Sequence, residues 1–140
     1  MAEGGPGRPG SVAGLAVFFG SAAVVSVVAA AAVAFPGGAL EPMWRLNPRA
    51  REGFAAMGPW AVALLVAVGL ACTLAARGLW TGSPWGRRLA FGILAVNLVG
   101  DAANALILGD LRSAVGVPVV LLLSLPLLSK RGRKFFRNPS

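Results

Sequence analysis

The chain has 140 residues, of which 56% are hydrophobic and 13% charged, with a mean hydropathy of +0.74. A soluble domain carries about 25% charged residues, so this composition excludes an ordinary soluble domain and indicates a small integral membrane protein. The net charge of +8 does not point to nucleic acid, because the basic residues lie between and after the apolar runs rather than on one polar domain.

Residues 1–10, MAEGGPGRPG, have almost nothing to bury, and a disordered cytoplasmic N-terminus is expected there. A membrane domain is predicted over 11–129. Between Val12 and Phe35 the only polar side chains are Ser21 and Ser26. About 24 residues at 1.5 Å each cover roughly 36 Å, enough for a hydrocarbon core of about 30 Å, so 12–35 is the first predicted span. The rival reading is a cleaved signal peptide, with Arg8 before the run and alanines before Phe35. Its apolar region would be only about 7–15 residues long.

The longest loop follows and interrupts the apolar pattern with prolines, glycines and the charges Glu41, Arg45, Arg49, Arg51 and Glu52. Within it, Asn47-Pro48 pairs a side chain able to cap free N–H groups with a ring preset for the first helical position. A short interfacial helix from Pro48 to about Met57 is predicted. The second span, 59–76, opens on Pro59 and stops before Arg77-Gly78. It contains Cys72, read as a small packing residue. In the next loop, RGLWTGSPWGRR, Ser83-Pro84 repeats the cap-and-proline start. The third span is 86–108. Asp110 is placed to cap the fourth, 111–128, which holds Pro118 and Pro126 and should bend near Pro118.

Four spans put both termini on one side. Arg8, Arg77, Arg87, Arg88, Lys130, Arg131, Arg133, Lys134 and Arg137 lie at the termini and second loop, nine cations against Arg45, Arg49, Arg51 and Arg112 on the other side. The side richer in Lys and Arg is cytoplasmic, so both termini are expected in the cytoplasm of a cell membrane. The Ala, Gly and Arg bias points to a GC-rich bacterial genome and hence an inner membrane. Trp44, Trp60, Trp80 and Trp85 fall in loops or at helix starts, where indoles form interfacial belts. Small residues recur every four positions, as Ala22, Ser26, Ala30 and Ala34 and as Ala63, Ala67, Ala71 and Ala75. Such stripes let helices approach closely in lipid.

Within the third span lie Asn97, Asp101 and Asn104. At 100° per residue they fall within about 60° of one another, opposite the apolar face of Phe91, Ala95, Val99, Ala102 and Leu106. A carboxylate at a helix centre costs about 2.5–3.5 kcal/mol on insertion scales. Asp101 therefore needs a partner, a water-filled cavity or a proton. Three readings follow: hydrogen bonds that fix helix rotation, a proton or cation site of a transport route, and recognition of a partner's helix.

Catalysis is not expected. The chain has no His and no Tyr, and Asp101 is the only acid within a span. Neither a His-based triad, a paired-carboxylate site nor a His/Cys metal cluster can be assembled from one copy, and no cofactor or metal is expected. In plan, four short helices in about 140 residues, the chain resembles small multidrug exporters and fluoride channels. The first span lacks the acid those exporters use, so the likeness is one of size.

Residues 130–140 read as a basic cytoplasmic tail. Lys130, Arg131, Arg133, Lys134 and Arg137 are candidates for contact with anionic lipid, with Phe135 and Phe136 free to enter the interface. The sequence thus predicts an all-α, four-helix transmembrane bundle with a short interfacial helix in the first extracytoplasmic loop. Its expected partners are the lipid bilayer and either further copies of itself or another membrane protein. The expected role is packing or partner contact, with a small oligomeric transporter or channel using Asp101 as the alternative.

Overall fold

The computed structural model describes residues 7–109 and 111–137, and those residues form helices and turns with no strand. Four helices are long and apolar enough to cross a membrane: α1 (Gly10–Ala34), α3 (Pro59–Thr81), α4 (Pro84–Leu108) and α5 (Leu111–Leu128). Two short ones join them, α2 (Pro48–Met57) and α6 (Lys130–Arg137). Proline opens α2, α3 and α4, where its fixed φ suits the first turn and its missing N–H leaves nothing unpaired. Gly58, Gly82 and Gly109 follow α2, α3 and α4 with φ of 60°, 72° and 62°, the left-handed region that favours glycine and ends a helix.

Helix α2 occupies the predicted stretch, and its predicted cap is formed: Asn47 Oδ1 accepts from the Ala50 N–H at 3.2 Å. Helix α5 matches its predicted bounds and continues through both prolines. Helix α3 does not stop at Ala76 but continues through Arg77 and Gly78 to Thr81. The reason is that Gly78 is a contact point rather than a terminator: a Cβ at Gly78 or at Gly86 of α4 would fall on the other's backbone. The break comes instead at Gly82 and Ser83. Ser83 holds the cap position without capping, since its hydroxyl lies 2.9 Å from Thr81 Oγ1. Asp110, the predicted cap of α5, lies outside the described residues, as do 1–6 and 138–140.

The chain divides into two compact units. One comprises residues 20–73. Here Ala29, Ala30 and Ala32 of α1, Leu65 of α3 and Trp44 are buried together, with Phe54 of α2 packed on Trp44 at a ring separation of 5.9 Å. Arg51 forms an ion pair with Glu41, whose carboxylate also accepts from the Gly37 N–H at 3.2 Å. Within this unit α1 meets α3 at Gly69, where a Cβ would lie 3.5 Å from Ser26 Cβ. The face that α3 buries runs through Ala61, Leu65, Gly69 and Cys72, whereas Ala63 and Ala67 of the expected alanine stripe are exposed. Trp44 is buried, and only Trp60, Trp80 and Trp85 are exposed as belt residues must be.

The second unit holds residues 1–19 and 74–140. Its buried side chains include Val12 and Phe19 of α1, Leu79 of α3, Leu94 of α4, Leu127 of α5, and Phe135 and Phe136 of α6. Of the segment 1–10 expected to be disordered, Arg8 is described and is held: its guanidinium lies 3.8 Å from the Trp80 ring centroid, and its Nε donates to the Trp80 carbonyl at 3.0 Å. The last carbonyls of α5, which have no partner within their own helix, are met by side chains. Ser129 Oγ donates to Pro126 O at 2.9 Å, Arg87 Nε to Leu127 O at 3.1 Å and Arg133 Nε to Leu128 O at 3.1 Å.

Candidate functional site

The three polar residues of α4 share one side of the helix, but their surroundings differ. Asp101 is half-buried and turned toward α5, and its carboxylate rests on the bare Cα of Gly116. A Cβ at Gly116 would collide with Oδ2 and lie only 2.7 Å from Cγ. Glycine is thus what admits the carboxylate between the two helices. Asn97 and Asn104, one turn to either side along α4, are exposed, and neither amide takes part in a hydrogen bond with another described residue. The structure therefore brings Asp101 against a neighbouring helix and leaves the two amides at the edge of that contact.

The burial of α4 changes along its length. Gly86, Ala90 and Leu94 are buried, Ile93 is half-buried, and Asn97, Gly100 and Asn104 are exposed. A Cβ at Gly100 would have open space around it. In a helix this apolar, exposure of valine or isoleucine needs only lipid, whereas exposure of an amide needs a hydrogen-bonding partner.

The five cations of the C-terminal segment sit on a helix that the sequence reading did not foresee. Ser129 caps α6 by accepting from the Gly132 N–H at 3.0 Å. Gly132 is required where it stands, because a Cβ there would strike the Pro126 carbonyl oxygen. Phe135 and Phe136 do not point outward: they are 6% and 3% exposed, and Phe135 closes on Gly82. Lys130, Arg131, Arg133, Lys134 and Arg137 are all exposed. Lys130, Arg133, Lys134 and Arg137, at spacings of three, one and three, line one concave patch. The two phenylalanines turn the chain's most basic helix into a two-sided element, aromatic inward and cationic outward.

Gly116, Ser129 and the Gly78–Gly86 crossing are the positions that residue-type reasoning passed over. Each acts by what it lacks or by what it caps. Serine before the basic run is the available signal for α6, whereas Gly116 becomes the seat of Asp101 only once the register of α4 against α5 is known. No family model, curated protein or solved structure matches this chain.

Proposed function

We propose that this is a four-span protein of the cell membrane, with both termini in the cytoplasm, that works through helix packing and partner contacts rather than catalysis. The four long apolar helices support insertion, and the nine-to-four distribution of Lys and Arg supports the orientation. The observation that carries the role is the seat of Asp101. Its carboxylate is fitted into a notch made by Gly116 on the adjacent helix, as expected of a polar group that fixes how α4 and α5 rotate against each other. On the same reading α2 lies at the outer interface, and the outward cations of α6 meet anionic headgroups.

The rival is a small transporter or channel in which Asp101 carries a proton or cation. Its support is the half-exposure of Asp101 and its two neighbouring amides. Asp101→Asn separates the two, because it removes the charge and keeps the shape and most of the hydrogen bonding. In a packing role, the mutant assembles and melts nearly as the parent does, Asp101→Leu loosens the structure, and neither parent nor mutant moves protons or cations in liposomes. A well-folded Asp101→Asn protein that has lost a flux shown by the parent establishes the transport role instead.

A further inference from the structure

Asn97 and Asn104 are the only side-chain amides in the four long helices, and both are exposed without a hydrogen bond to a described residue. With Ile93, Gly100 and Ile107 they form a row whose spacing alternates four, three, four, three. That is the heptad seam along which two helices pack knobs into holes. Every member belongs to α4 and to one compact unit. Ile107 is 79% exposed, and Gly100 has open space where a side chain would be. The seam therefore combines a point of close backbone approach, at Gly100, with an amide one turn to either side.

The chemistry of the amides selects the occupant. A carboxamide is both donor and acceptor, so its best complement is another carboxamide. Two copies inserted by the same rule are parallel, and each residue of one lies at the depth of its counterpart in the other. A two-fold axis along the membrane normal then sets Asn97 against Asn97 and Asn104 against Asn104, with Gly100 at the closest approach between them. A different protein would have to carry amides at the same two depths. A second copy has them of necessity. Resting on the reading that α4 spans the membrane, we infer that the Ile93–Asn97–Gly100–Asn104–Ile107 face of α4 is the interface of a parallel homodimer.

The test uses the full chain in its native membrane, with Cys72→Ala as background and one new cysteine at a time. Gly100→Cys lies on the seam; Val99→Cys, also exposed, lies about 100° round α4 from Gly100, off the seam. Mild oxidation is expected to give a disulfide-linked species of twice the chain mass from Gly100→Cys and little from Val99→Cys. In detergent, the double variant Asn97→Leu/Asn104→Leu is expected to weaken self-association about tenfold by energy transfer between labelled copies, as two lost amide pairs would. Asn97→Gln/Asn104→Gln, which keeps both donor and acceptor, is expected to retain at least part of that association. Equal cross-linking at both positions, no cross-linking, or a product containing a different protein each overturns the inference. Resistance of the chain to alkaline carbonate extraction is scored in the same membranes. An extractable chain refutes the membrane-span reading itself, whereas a retained chain without Gly100 cross-linking refutes only the dimer.

Discussion

Asp101 and Gly116 show how far a single residue can be read from sequence. A carboxylate in an apolar run declares itself, because its insertion is costly enough to demand an explanation. Its counterpart does not, since glycine at 116 has meaning only once the register of α4 against α5 is known, and no side-chain pattern states that register. The pairing can be tested by the sign of one substitution. Alanine in place of glycine inside a helix is ordinarily worth up to about 1 kcal/mol of stabilisation, but a Cβ driven into the Asp101 carboxylate costs on the order of 1–3 kcal/mol. Gly116→Ala should therefore destabilise the parent or leave it unchanged, and should stabilise an Asp101→Ala variant. A double-mutant cycle read by unfolding in mixed micelles is expected to give a coupling of about 1 kcal/mol or more. The same effect of Gly116→Ala in both backgrounds means that the two residues do not share a seat.

Among the elements, the short helices divide into one that was legible and one that was not. Helix α2 carries its start signal locally, in Asn47 and Pro48, and both act as their chemistry suggests. Helix α6 has the wrong local chemistry for a helix. Lys130 and Arg131 repel the positive end of its own dipole, and Gly132 has poor helix propensity. What holds it is tertiary: Ser129 caps it, Gly132 lets it pass the Pro126 carbonyl, and two phenylalanines are buried. Helix α3 ran past its predicted end for a related reason, since Gly78 reads as a stop and serves as a crossing point. Because the aromatic side of α6 is committed inward, any lipid contact falls to the cations, each worth about 1 kcal/mol near an anionic surface. Replacing Lys130, Arg131, Arg133, Lys134 and Arg137 with Gln should lower the retention of anionic lipid by the purified protein at low salt, with zwitterionic lipid unaffected, as read by native mass spectrometry. Equal retention of anionic lipid by parent and variant removes the electrostatic role.

For the molecule as a whole, the four long helices were legible because length and hydropathy are sums over some 20 residues, which no single misjudged glycine or proline can reverse. Charge is distributed as unevenly as hydropathy. The unit of residues 1–19 and 74–140 carries all nine cations assigned to the cytoplasm, and Arg112 is its one cation assigned to the other side. The unit of residues 20–73 carries Arg45, Arg49 and Arg51, with Glu41 and Glu52 among them. Orientation follows from Lys and Arg near the span ends, with little influence from acids, so Glu41 and Glu52 do not alter the expected outcome. Gly7 and Gly53 are exposed glycines with open space around them, and both accept a cysteine without disturbing a neighbour. In a Cys72→Ala background, Gly53→Cys should react with an impermeant thiol reagent in intact cells. Gly7→Cys should react only after the membrane is permeabilised. Labelling of Gly7→Cys in intact cells with protection of Gly53→Cys inverts the orientation. It would also move the outward cations of α6 away from the cytoplasmic leaflet, whose anionic lipid is the contact proposed for them.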